Sequence, residues 1–152
     1  MMQNLSGYYG RMVALASSPW SEAIMLVFVR ISLAGIFWRS GRTKVVENTW
    51  IMLSDNTKTL FENEYAGVPL PPELAARLAL GAEHLFPILV VLGLATRFSA
   101  LALLVMTLVI QIFVYPEAWW QVHIVWVALA LVLMVRGGGK LSLDQMLVVH
   151  KK

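Results

Sequence analysis

Four runs of the chain are apolar almost without interruption: Trp20 to Gly41, Pro72 to Gly93, Phe98 to Tyr115 and Trp119 to Val135. A helix of about 20 such residues crosses the hydrocarbon of a bilayer. A backbone in lipid must satisfy its own polar groups, so each run is predicted to be a helix. The pattern therefore predicts an all-α membrane protein: one four-transmembrane-helix bundle over residues 1–152, with a long loop between helices 1 and 2. Local signals set the ends. Ser18-Pro19 with Glu22 reads as a capped helix start, and Pro72-Glu73 as a second. Leu92 to Arg97 leaves room only for a tight turn, which makes spans two and three an antiparallel hairpin. Gly137-Gly138-Gly139 ends the fourth span. Ser142 to Gln145 has capping-box spacing, which predicts a short surface helix with Leu143, Met146 and Leu147 on its apolar side.

The polar exceptions carry the candidate chemistry. Arg30 lies inside the first run, and Glu83 and His84 inside the second. An acid or a guanidinium near a helix centre costs roughly 2.5 to 3.5 kcal/mol in the membrane, so each needs protein or water as company. Counting 1.5 Å per residue puts Arg30 roughly 12 to 15 Å from the side that holds the termini, and Glu83 about 16 Å from it. That count predicts that the two pair. Gln111 and His123 fall at roughly 20 Å and Arg39 at about 25 Å, so these residues are expected to line one cavity open towards the long loop. Pro87 has no N–H for the Glu83 carbonyl, which frees that oxygen and predicts a kink. Ala23, Arg30, Ala34, Phe37 and Gly41 form a small-residue packing face, and Thr107 and Gln111 read as hydrogen-bonders between helices. Arg39, Arg42 and Lys44 close the first span as cations reaching for headgroups, with contact to an anion or a quinone oxygen as the alternative for Arg39.

The connection from Thr43 to Pro71 mixes Glu47, Asp55, Glu62 and Glu64 with Trp50, Phe61 and Tyr65, as suits the membrane interface. One or two short helices are expected in it, because so long a stretch is uncommon without structure of its own. Asn4 to Ala16 lacks the pattern of a cleaved signal and is expected to lie flat at the interface.

Composition narrows the class. Of 152 residues, 59% are hydrophobic and 14% charged, against about 25% charged in soluble domains. There is no cysteine, which removes disulfide and thiolate-metal chemistry from this chain. A net charge of +3 gives no nucleic-acid signal. Arg11, Arg97, Arg136, Lys140, Lys151 and Lys152 share the terminal side with only Glu22 and Asp144, which leans the termini towards the cytoplasm.

Several of these features, taken in order, resemble the DoxX family over nearly the whole chain. They are Arg30 and Gly35, Ser40-Gly41 with Lys44, Glu83, Gly93-Leu94-Ala95-Thr96-Arg97, and Gly137-Gly138-Gly139-Lys140-Leu141-Ser142-Leu143-Asp144. Glycine at 138 departs from the Gly-Pro-Gly usual there. Leu60 to Pro69 and Pro71 to Ala75 are similar, more narrowly, to DoxX members encoded beside small metal-sequestering peptides, the bufferins. The resemblance implies a multi-pass protein of the bacterial inner membrane, in some members linked to quinone reduction or thiol stress. It carries over no catalytic residue.

Three functions fit. The first is an auxiliary subunit that recruits other membrane or periplasmic proteins in a metal- or oxidative-stress system, with Arg30 and Glu83 as a structural lock. The second is a quinone-linked oxidoreductase subunit, in which Glu83, His84 or His123 moves protons and Arg39 or Trp38 contacts the ring. The third is metal binding or transport, of copper or zinc, through His84, His123 and Met residues, although the two histidines lie on different spans without a ligand motif.

Overall fold

The computed structural model describes residues 2–149; Lys151 and Lys152, counted above on the terminal side, lie outside the described residues. Among the described residues seven α-helices follow in order: α1 (Met2–Ala16), α2 (Pro19–Thr43), α3 (Asp55–Asn63), α4 (Pro72–Leu92), α5 (Thr96–Phe113), α6 (Ile124–Arg136) and α7 (Leu143–Val149). Four stretches are long and apolar enough to cross a membrane: Pro19–Thr43, Pro72–Leu92, Thr96–Phe113 and Pro116–Arg136. They match the four runs read from the sequence. The last begins with a 3-10 turn (Pro116–Ala118) and a π-helical turn (Trp119–His123) before α6.

The starts and stops obey the local chemistry. Ser18 Oγ accepts from the Ser21 N–H at 3.1 Å and Pro19 occupies the first turn, where its missing N–H costs nothing. Gly93 ends α4 in the left-handed region, at φ 68°, and its N–H returns to the last turn of α4. Ser142 Oγ accepts from the Gln145 N–H at 3.3 Å at the head of α7.

α2, α4, α5 and α6 pack in a ring in which α2 meets α4, α4 meets α5, α5 meets α6 and α6 returns to α2. Inside it Leu26, Leu33, Phe37, Val90, Leu103 and Leu133 form the main core, with Ala34, Ala100 and Ala130 letting the helices approach. Phe28, Leu85, Val105 and Ile112 point outward and are exposed, as residues facing lipid must be. Outside the ring, α1 leaves Tyr8, Tyr9, Met12 and Leu15 exposed, an apolar surface suited to the boundary between lipid and water.

The connection between the first two spans is not loop throughout. Val45 and Leu53 form an isolated antiparallel bridge, and Ser54 caps α3 by accepting from the Thr57 N–H. α3 packs on the start of α4. A second core, Val45, Leu53, Phe61, Ala75, Ala76 and Leu80, fills the space beneath it.

Candidate functional site

The acid of the second span is paired, but its partner is Lys44 and not Arg30. Lys44 Nζ stands 2.7 Å from Glu83 Oε2 and donates to Oε1 at 3.0 Å, while the Ser40 hydroxyl donates to Oε1 at 3.1 Å. Lys44 also donates to Ser40 Oγ, so three polar groups share one buried cluster. Gly41 makes the approach possible: a Cβ there would lie 3.1 Å from Glu83 Cβ and 2.9 Å from His84 Cε1. The headgroup role expected of Lys44 is overturned by its burial at 5% exposure. α2 ends one residue before it, and the chain then folds back so that Thr57 Oγ1 donates to the Lys44 carbonyl and Val45 and Leu53 close over it.

Arg30 turns the other way. Its guanidinium donates to the carbonyls of Val90 (3.0 Å), Val91 (2.6 Å), Gly138 (2.9 Å) and Leu141 (2.6 Å). These carbonyls lie at the end of α4 and in the glycine turn after α6, where a helix terminus needs donors, and that of Val90 also accepts from the Gly93 N–H. Helical side chains lean towards their own N-terminus. α2 and α4 are antiparallel, so Arg30 leans to the terminal side and Glu83 to the loop side. Similar Cα depths therefore did not bring the two charges together.

The remaining expected site residues are also divided. The His84 Nδ1–H donates to the Leu80 carbonyl at 2.9 Å; the ring meets Trp38 edge-on at 5.1 Å and Trp50 at 6.5 Å, and its buried Nε2 has no hydrogen-bond partner among the described residues. Gln111 and His123 form a separate pair between spans three and four. The Gln111 amide donates to the Pro116 carbonyl at 2.7 Å, which leaves its oxygen to accept from the His123 Nδ1–H at 2.7 Å. Thr107, expected to bond across helices, instead donates to the Leu103 carbonyl of its own helix. Arg39 is exposed on the outside of α2. The single cavity expected from these residues is not formed.

What Glu83 does line is an apolar groove of about 330 Å³ between α4 and α5. Ala79, Ala82, Val105, Met106 and Val109 form its walls, and Phe61, Tyr65 and Val68 close its loop-side end. Phe61 and Tyr65 stack at 4.2 Å with 17° between their planes. Glu83 and Tyr65 bring the only polar side chains in this lining. Burial pushes the Tyr65 phenol up, with the Glu83 charge adding to it, so it stays a neutral hydroxyl. The cap over this end is held by Tyr115, whose hydroxyl donates to Glu64; that bond, with burial and the neighbouring Glu64 and Glu117 charges, pushes the Tyr115 phenol up to about 12. The reading from sequence missed Tyr65, Ser40 and Lys44 as site residues. The spacing of Ser40 and Lys44, four apart at the end of a span, was the available signal.

Among the described residues no group of three or more His, Asp or Glu stands together to hold a metal ion. His84 and His123 are each committed through Nδ1 to a different helix contact.

The fold and this site define a small four-span helical membrane protein with a buried lysine-carboxylate pair beside a lipid-facing groove. The DoxX family model matches residues 25–116, and the chain belongs to the DoxX family. It is 29% identical to an uncharacterized protein of Haemophilus influenzae, the match covering 83% of this chain and 85% of that relative. No solved structure matches it.

Proposed function

We propose that the protein binds a quinone-type molecule, a flat ring on a long apolar tail, in the groove between α4 and α5. The observation that carries this reading is that the groove is apolar along its length and reaches Glu83, which Lys44 and Ser40 hold in place. A tail would lie against Ala79, Ala82 and Val105, and the ring against the stacked Phe61 and Tyr65. Buried groups held in a low dielectric are also those suited to exchanging protons with such a ring. Leu78 and Val105, exposed on the bundle's outer surface, flank the opening, so the molecule would arrive from lipid.

The test is equilibrium binding of a tail-bearing quinone to the protein in nanodiscs, against Ala82→Trp, which fills the groove. Binding to the parent and its loss in a variant of unchanged melting temperature support the reading. Absence of binding to the parent refutes it.

A second reading, the auxiliary subunit that recruits a partner in a metal- or oxidative-stress system of the bacterial inner membrane, is favoured by one feature. Trp50, Ile51 and Met52 are 62%, 83% and 60% exposed at the tip of the fold between Val45 and Leu53. An apolar tip on the loop side suits docking to another protein. The likeness to bufferin-associated members would make metal handling that system's task. A photo-crosslinking residue at 51 that captures a discrete membrane or periplasmic protein in native membranes supports this reading, and crosslinks to lipid alone refute it.

A further inference from the structure

We infer that the hollow between the α4–α5 turn and the glycine turn after α6 binds a phosphate group at the membrane surface, with the guanidinium of Arg97 as its holder. It lies at the opposite end of the bundle from Phe61 and Tyr65, and it does not rest on the reading of the groove between α4 and α5.

The hollow has a volume of about 630 Å³. Arg97 in the first turn of α5, Arg136 at the end of α6 and Gln145 of α7 all line it. All three are exposed, so a ligand can reach them. Each arginine stands at the end of a membrane span, which is the depth of lipid headgroups. Phe98, Leu147 and Val148 also line the hollow and are exposed, so a phosphate arriving on a lipid has an apolar surface for its chains.

The two cations differ in what they have free. Arg136 donates through Nε and Nη2 to Glu22, so its charge is already answered. Arg97 has no acid within ion-pair distance among the described residues. Its Nη1 donates to the Met134 carbonyl at 2.8 Å, which anchors the guanidinium, while Nε and Nη2 have no hydrogen-bond partner among the described residues. Those two nitrogens form one edge of the planar fork, the geometry that takes two oxygens of a phosphate at once. Glycine keeps space beside that edge: a Cβ at Gly137 would lie 3.5 Å from Nε and 3.7 Å from Nη2. Asp144 lines the hollow too, but its two oxygens accept from the Ala95 and Thr96 N–H groups at 2.7 and 2.9 Å, which offset its charge. Lys140, 5.8 Å from the centre of the Trp20 ring, adds a further cation at this end of the bundle.

The experiment titrates the full chain in detergent micelles with three probes. They are dioctanoylphosphatidylglycerol, dioctanoylglycerol, which has the same chains and no phosphate, and inorganic phosphate. Wild type is expected to bind the phosphatidylglycerol about tenfold tighter than the diacylglycerol, the scale of a charge-assisted hydrogen bond. Arg97→Gln should erase that margin. Arg97→Lys, which keeps the charge without the fork, should cut it about threefold. Gln145→Glu, at a side chain with no hydrogen bond among the described residues, puts a carboxylate in the lining and should also cut it about threefold. Inorganic phosphate that binds with the same dependence on Arg97 identifies the free ion as the ligand. Phosphate that fails to bind while the lipid succeeds identifies the headgroup, and either result supports the site. The inference is overturned if the two lipids bind alike and inorganic phosphate does not bind, or if Arg97→Lys binds as tightly as wild type, which would leave charge alone at work. Binding indifferent to Arg97→Gln in a variant of unchanged melting temperature overturns it as well. Should Arg97→Gln unfold with the loss of its Met134 bond, the wild-type margin and Gln145→Glu still decide, and an unchanged margin in Gln145→Glu counts against the site.

Discussion

Lys44, one residue beyond the end of the first span, reaches back 2.7 Å from the carboxylate that Glu83 carries in the second. Both side chains are buried, so removing either leaves the other charge without compensation, at about 3 to 5 kcal/mol for a pair of this kind. Lys44→Ala is therefore expected to lower the melting temperature and the folded yield in detergent or nanodiscs. The double replacement Lys44→Met with Glu83→Leu should recover most of that loss while abolishing ligand binding. A double variant as unstable as the single would show that the pair does more than cancel its own charges.

Gly41 is where the first two spans come closest to the site. A methyl group there would lie 2.9 Å from His84 Cε1, 3.0 Å from His84 Nδ1 and 3.1 Å from Glu83 Cβ. The imidazole could swing aside only by giving up its bond to the Leu80 carbonyl and its edge contact with Trp38. The Glu83 Cβ is part of a helix and cannot yield. Gly41→Ala should cost about 1 to 3 kcal/mol through overpacking, and Gly41→Val more. Thermal unfolding in nanodiscs measures it, and Gly35→Ala serves as control, since nothing lies within 4 Å of the Cβ added there.

Much of the architecture was legible in the residues. The four spans, the capped start at Ser18, the turn at Gly93 and the helix after Ser142 follow from apolar run length and from the fixed habits of Ser, Pro and Gly. The site was legible only in part, for two physical reasons. Arg30 and Glu83 were matched by the depth of their Cα atoms, but side chains on antiparallel helices lean in opposite directions, and a charge finds whatever carbonyl or carboxylate it then meets. Lys44 reads as an ordinary interfacial cation because its burial depends on α3 and the Val45–Leu53 bridge folding over it, a tertiary event with no local mark. Tyr65 enters the groove for the same reason. His84, Gln111 and His123 were recognised as polar residues within apolar runs, yet their helix faces send them to separate contacts.

Arg30 ties three parts of the chain together through four carbonyls, two at the end of α4 and two in the turn between α6 and α7. A lysine keeps the charge but not the planar fork that serves several acceptors at once. Arg30→Lys should leave most of those carbonyls without their donor and loosen α7, whose Asp144 carboxylate accepts from the Ala95 and Thr96 N–H groups across the same turn. Limited proteolysis is expected to cut within residues 137–149 of the variant sooner than in wild type. Glu83→Gln should leave that segment as protected as before, because the acid belongs to the opposite side of the bundle. Equal exposure in both variants would mean that the two charges act on one structure after all.

Gln111 and His123 govern the start of the fourth span. The amide holds the Pro116 carbonyl with its nitrogen and the His123 Nδ1–H with its oxygen, so one side chain spans the 3-10 and π-helical turns from Pro116 to His123. Removing it deprives a buried imidazole N–H of its acceptor, at about 1 to 3 kcal/mol, and frees the turn to rewind. Gln111→Leu, close in volume but unable to bond, should raise amide exchange across residues 116–123 and leave α4 and its groove undisturbed, with ligand affinity unchanged. Gln111→Glu, which keeps an acceptor for His123 but loses the donor to Pro116, should show an intermediate exchange rate. Loss of ligand binding in Gln111→Leu, with exchange in α4 unchanged, would place His123 in the binding site and draw it back towards Glu83.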